Sequence, residues 1–206
     1  RISRRSKYLI FHFKKKFLLV HLGMSGKLLL MRSYDNTIFK TSFYYDLNIL
    51  QKHNHIYFRF NNGLVLIYND IRRFGFFKLY NTTQLNKIIF LKKLGLEPFN
   101  KKFNIKYFKK FVKNRKKNIK NLLMDQTFVS GLGNIYANEA LFASMIKPLR
   151  TCDSLNKNEI KKLILNIKKI LKFAISKGGS SIKDFQNTFG KSGNFQQFFH
   201  VYGRKN

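Results

Sequence analysis

The hydrophobic pattern changes period near residue 84, and that change limits what the chain can fold into. Before it, residues 8–13, 17–22, 27–32, 56–60, 64–68 and 76–80 are short runs rich in aromatic and aliphatic side chains. Turn signals separate them: Lys14-Lys15-Lys16, Met24-Ser25-Gly26, Asn61-Asn62-Gly63 and Asp70-Ile71-Arg72-Arg73. Runs of that length with such boundaries read as strands, and Asn61-Asn62-Gly63 reads as a hairpin turn. Six short strands with local connections predict an antiparallel sheet, sandwich or barrel. Beyond the change, residues 85–94, 105–112, 117–124 and 134–145 read as helices. In residues 156–177, Ile160, Leu163, Ile167, Ile170, Leu171 and Ala174 form one apolar stripe. Asn156 and Glu159 have capping-box spacing, and Gly178-Gly179 supplies a helix stop. Residues 180–206 read as irregular. The fold class is α+β, with a β domain over residues 1–82 and a helical domain over 83–206.

Charge narrows the partner. Lys and Arg total 41 and Asp and Glu total 9, for a net charge of +32 on 206 residues. With 44% hydrophobic residues the chain can still bury a core, so it is not a disordered basic tail. A folded protein this cationic points to a polyanion, nucleic acid first and an anionic membrane surface second. Cys152 is the one cysteine, which excludes an internal disulfide and a Cys-rich zinc site within these residues. Lys or Arg interrupts every window of about 20 residues, so no membrane span is predicted. The basic start lacks a small-residue cleavage site and runs into Lys14-Lys15-Lys16, so a reducing cytoplasm is expected rather than secretion. A first residue of Arg rather than Met suggests a fragment. The 31 Lys against 10 Arg also fit codon drift in an A·T-rich genome, so part of the charge carries no function. The few arginines are then the more informative cations, because their planar fork binds phosphate and guanine as lysine cannot.

Several local patterns could carry chemistry. Met24 lies in a turn between Gly23 and Gly26, either as an incidental residue or as an apolar wedge able to enter a base stack. Arg72, Arg73 and Phe74 share one turn after Asp70. That turn is either solvated, with Asp70 pairing an arginine, or a tip that probes a base edge and fills the gap left by an extruded base. Gly131-Leu132-Gly133-Asn134 opens a helix, where N–H groups and Asn134 can cap the helix or hold phosphate. Arg115, Lys116, Lys117 and Lys120 precede it as a solvated face or a phosphate path. Lys7 follows Arg4 and Arg5, and neighbouring cations lower a lysine's pKa toward proton transfer. His53 and His55 would face one side of a strand edge, but no carboxylate cluster accompanies them, so no metal site is expected.

Taken in order, these stretches resemble the bacterial formamidopyrimidine-DNA glycosylases, which excise oxidised purines. The matching blocks are RRSKYL, HLGMSGKL, KHNH, YNDIRRFG, LGLEP, LMDQTFVSGLGNIYANEALF, GKSGNF and VYGRK, which run end to end in the family's order. The resemblance implies a β-sandwich followed by a helix–two-turns–helix DNA-binding domain. It implies cleavage of the N-glycosidic bond of 8-oxoguanine or formamidopyrimidine, then nicking by β,δ-elimination. Lys7 would be a catalytic proton donor. Met24, Arg72 and Phe74 would fill the void, with Arg72 facing the estranged cytosine. His53, Arg115 and Asn134 would hold phosphates, and Lys183 would belong to a loop over the flipped base.

The resemblance also implies an amino-terminal proline nucleophile followed by glutamate, and a four-cysteine zinc finger after VYGRK. Neither is among these residues, so the chain is expected to be a fragment, inactive by itself, of a parent DNA glycosylase and abasic-site lyase. No cofactor is expected within the chain, with zinc expected in the complete protein. Ile71 replaces the proline usual in the YNDIRRFG block. The expected partner is double-stranded DNA carrying oxidised purines, bound by a monomer at the bacterial nucleoid without membrane. A degenerate DNA-binding remnant and a basic nucleoid- or ribosome-binding protein are the alternatives.

Overall fold

The computed structural model describes residues 1–39, 50–180 and 194–203. The chain divides into two units, one of Arg1–Thr82 with Gly178–Gln196 and one of Thr83–Lys177 with Gln197–Asn206.

The first unit contains seven strands: β1 (Ile2–Arg5), β2 (Tyr8–His12), β3 (Lys16–His21), β4 (Lys27–Arg32), β5 (Asn54–Arg59), β6 (Leu64–Asn69) and β7 (Phe76–Asn81). They form two antiparallel sheets, ordered β1-β2-β3-β7 and β4-β6-β5. Phe77 of β7 joins the layers, its ring 5.8 Å from Phe58 and 4.6 Å from Tyr68 of the other sheet. Phe17 and Leu19, and Val65 and Ile67, are buried at alternating positions of their strands, and Val20 and Leu29 are buried as well. Strand β1 goes beyond the six runs expected. Its Ser3, Arg4 and Arg5 carry no apolar alternation, and it forms because its backbone pairs with β2 along an exposed edge.

The second unit contains α1 (Ile89–Lys92), α2 (Ile105–Val112), α3 (Ile119–Met124), α4 (Asn134–Ser144) and α5 (Lys157–Ser176). An aromatic cluster forms the middle of its core. The Phe128 ring lies 5.0 to 6.0 Å from those of Phe103, Tyr107, Phe108 and Phe111. Asn156 caps α5 by accepting from the Glu159 N–H at 2.9 Å, and the Glu159 carboxylate accepts from the Asn156 N–H at 2.9 Å. That reciprocal pairing is the capping box its spacing predicts.

One expected helix does not form as read. Residues 85–94 fold as a 3₁₀ helix, Thr82–Lys87, and the single turn of α1. The chain beyond Lys93 is drawn into extended pairing, with the Gly95 N–H on the Gln126 carbonyl at 2.8 Å and a parallel bridge from Leu96 to Val129. A Cβ on Gly95 would lie 2.3 Å from the Phe128 carbonyl oxygen, so a helical side chain has no room there.

Candidate nucleic-acid interface

The best-defined part of the first unit is a polar knot at the end of β6. Asp70 is fully buried. One carboxylate oxygen accepts from the Ser25 hydroxyl and the Arg72 N–H, and the other from the Tyr68 hydroxyl at 2.6 Å and the Gly75 N–H at 3.0 Å. The Arg72 N–H also reaches the Ser25 oxygen at 3.1 Å. Two loops are thereby tied to one anion, residues 22–26 through Ser25 and residues 70–75 through two main-chain N–H groups. Burial alone would raise the Asp70 pKa, but these four hydrogen bonds outweigh it and hold the acid ionised. Burial and the adjacent carboxylate push the Tyr68 phenol upward, so it remains a donor.

Glycines let the loops approach this closely. Gly23 has φ of +66°, and a Cβ there would lie 2.7 Å from the Gly75 nitrogen. A Cβ on Gly75 would lie 1.9 Å from the Tyr68 hydroxyl. With their backbones fixed, both loops present side chains outward. Met24 is 51% exposed and Phe74 57%, so both apolar groups face solvent from the two tied turns. The Arg72 guanidinium carbon lies 4.8 Å from the Phe74 ring centre, so the ring supports the cation. The structure therefore brings together Met24, Arg72 and Phe74, and sets the buried Asp70 behind them.

Lys7 occupies the two-residue turn between β1 and β2, after Ser6 at φ +55°. The residue is exposed, yet crowding of its ammonium by protein lowers its pKa through lost hydration. Loss of hydration, then the Lys7 charge, also lowers the His21 pKa. A neutral His21 fits its geometry, because its Nδ1 accepts the Gly23 N–H at 3.0 Å. His53 and His55 do not share a strand face. His53 ends a 3₁₀ helix, His55 lies on β5, and the register shifts between Asn54 and Ile56. Both still serve the knot, since the His53 carbonyl accepts the Asp70 N–H at 3.0 Å and the His55 ring bonds the Asp70 carbonyl at 2.8 Å.

The second unit presents its own candidates. Asn134 is exposed in the first turn of α4, but Gly133 rather than Asn134 occupies the cap position. The Asn134 side chain instead accepts from Asn138 at 3.4 Å. Gln126 shapes the approach to α4, accepting the Gly131 N–H at 2.8 Å and donating to the Leu132 carbonyl at 2.9 Å. Arg115 is exposed with its guanidinium 5.5 Å from the Phe111 ring centre, while Lys117 pairs with Asp125 at 3.6 Å. Buried Glu139 of α4 accepts N–H groups from His200, Val201 and Tyr202 at 2.9 to 3.0 Å. Burial opposes its ionisation, but these bonds prevail and its pKa is lowered. Lys183 lies outside the described residues.

Sequence reading passed over Asp70 and Glu139 as organising anions. The available signal was scarcity, since a chain with nine acids keeps one at a strand end beside two arginines and another within a helix. Among the described residues no cluster of three His, Cys, Asp or Glu could hold a metal ion, and no helix is long and apolar enough to cross a membrane.

Comparison with known proteins gives consistent matches. The family model for the formamidopyrimidine-DNA glycosylase N-terminal domain matches residues 1–77, and that for the formamidopyrimidine-DNA glycosylase H2TH domain matches residues 94–186. A formamidopyrimidine-DNA glycosylase of Wolbachia pipientis subsp. Culex pipiens is 40% identical over 204 residues, covering 98% of this chain and 70% of the relative. One from Streptococcus agalactiae serotype III is 40% identical over 205 residues, with the same coverage. Among solved structures, a mutant Lactococcus lactis enzyme bound to Fapy-dG containing DNA aligns with a TM-score of 0.82 at 36% identity, over 99% of this chain and 70% of that one. The Lactococcus lactis protein bound to DNA containing an abasic site aligns at 0.81 and 36%, with the same coverage.

Proposed function

The chain belongs to the formamidopyrimidine-DNA glycosylase family, and from that premise we propose how its own residues serve base-excision repair of oxidised purines in duplex DNA. The observation carrying the reading is the exposed trio of Met24, Arg72 and Phe74 on two loops tied to the buried Asp70 carboxylate.

A glycosylase must take its target base out of the stack, at a cost of a few kcal/mol. Met24 is the wedge that occupies the vacated space, and the fixed turn beneath it means that little ordering remains at binding. Arg72 faces the orphaned base and reads it through guanidinium hydrogen bonds, with Phe74 holding the fork in plane. Lys7 is the proton donor beside the sugar, because its lowered pKa brings proton transfer closer to neutral pH. His53 in the first unit, and Arg115 and Asn134 in the second, contact backbone phosphates and give salt-sensitive attachment. A protein acting on genomic DNA in this way works at the bacterial nucleoid. Among the described residues no cluster suits a zinc ion, and Cys152 is buried with its pKa raised, first by burial.

Binding to abasic-site duplexes with each of the four bases opposite the gap tests the division of labour. Arg72→Ala should flatten the preference for cytosine by about 1–3 kcal/mol while leaving undamaged-duplex affinity nearly unchanged. Met24→Ala should weaken binding to all four duplexes together. Equal loss across all four with Arg72→Ala would make Arg72 a phosphate or structural contact.

A further inference from the structure

The second unit carries a cavity that the DNA reading does not use. It lies between the start of α2 and the outer face of α5, with a volume of about 370 Å³. Lys101, Lys106, Lys161 and Lys168 line it, and Ile164 and Leu165 contribute apolar surface. No acid lines it. Among the described residues, Lys101, Lys106 and Lys161 have no carboxylate within ion-pair distance, and Lys168 lies 6.0 Å from the centre of the buried Phe103 ring. The acid nearest Lys161 in sequence, Glu159, is already engaged by Arg150 and by its own cap. Leu165 is 58% exposed between two lysines at helical spacing on α5.

We infer that this lysine-rimmed hollow binds an acidic peptide segment of a protein partner, seating one of its apolar side chains among the lysines. Four lysines around a small concavity, with no acid among its described lining residues, set the sign of the ligand. The apolar surface sets its class. A duplex is a convex rod whose phosphates need an open cationic track, and they gain nothing from Ile164 and Leu165. Single strands bind through aromatic faces, and the one ring among the described lining residues, Phe103, is fully buried. The cavity suits one or two side chains, whereas ligand sites for larger molecules extend to about 1,000 Å³. Carboxylates flanking one apolar residue satisfy both features, and such complementarity sets specificity and association rate more than raw affinity.

Fluorescence anisotropy with the full chain and a labelled peptide of glutamates around one central phenylalanine tests this. The peptide should bind, and its all-glutamate counterpart should bind several-fold more weakly. Lys161→Glu with Lys168→Glu should weaken the phenylalanine peptide about tenfold or more, with duplex DNA affinity falling far less. The equivalent double reversal at Lys109 and Lys110 on α2 should have little effect. Lys161 is exposed and Lys168 half-buried over Phe103, so circular dichroism of each variant should show an unchanged fold. Equal binding of both peptides, or equal loss from both double variants, would reduce the effect to net charge and overturn the proposal. Displacement of the peptide by oligothymidylate, itself sensitive to the Lys161 and Lys168 reversals, would assign the hollow to nucleic acid and also overturn it. Neither outcome bears on Arg72, so failure here leaves the base-excision reading standing.

Discussion

The two units use buried polar groups differently. In the β unit the polar core directs a surface: Asp70, Ser25 and Tyr68 lie inside so that Met24, Arg72 and Phe74 can stand outside on fixed turns. The helical unit has an apolar centre, where Phe103, Phe108, Phe128, Leu122, Leu132 and Leu163 are each 0% exposed, and its buried acid Glu139 sits at the margin, holding residues 200–202. A lesion in the first core should therefore be felt in DNA recognition as much as in stability. A lesion in the second should be felt chiefly in stability.

The largest effect tests the apolar side of that contrast. Phe128→Ala should destabilise the helical unit by about 3–5 kcal/mol in urea unfolding, since the ring touches four other aromatic residues and leaves a cavity that cannot collapse. A loss below about 1 kcal/mol would show a plastic core and break the contrast.

Next comes Asp70→Asn, which keeps the shape but turns an amide donor toward groups that are themselves donors. It should cost about 1.5–3 kcal/mol and remove most of the preference for abasic over undamaged duplex. The sign of its pH dependence follows from a folded pKa below the unfolded value. Its stabilisation is present above the unfolded pKa, near 3.8, and is lost as pH falls through the folded pKa, so the wild type should lose this contribution in acid while the variant shows a smaller slope. Unchanged lesion preference in Asp70→Asn would mean that the loops hold themselves.

The smallest effect sharpens the comparison. Asn156→Ala removes one half of the α5 capping box and should cost about 1 kcal/mol, with abasic-site binding unchanged. An equal loss of lesion binding would show that recognition also depends on the frame of the helical unit.

The sequence made the regular elements legible where local pattern decides them. The capping box of α5, the stripe on that helix and the runs that became β2 to β7 all rest on neighbours a few residues apart. Strand β1 was missed because Ser3, Arg4 and Arg5 form a strand only through their partner. The stretch at 85–94 is not one helix because Ile88 is extended between a 3₁₀ helix and the turn of α1, and just beyond it Gly95 and Leu96 are held by residues some thirty positions later. The exposed trio was legible as loop-tip residues able to wedge into a stack or probe a base, and their grouping against an estranged cytosine is what the resemblance implies. The anion behind it was not, because Ser25 and Asp70 are 45 residues apart in the chain. Glu139 was hidden for the same reason, its partners lying 61 to 63 residues downstream.

The close approach at Gly75 bears on how this protein can vary. Surface turns usually accept substitutions freely, while cores accept few. Here the order is inverted: Leu19 or Ile67 can exchange with another aliphatic residue of similar volume, but no side chain of any size fits at Gly75 beside the Tyr68 hydroxyl. A library randomised across the β unit would therefore recover less variety at Gly23 and Gly75 than at the aliphatic positions of its interior.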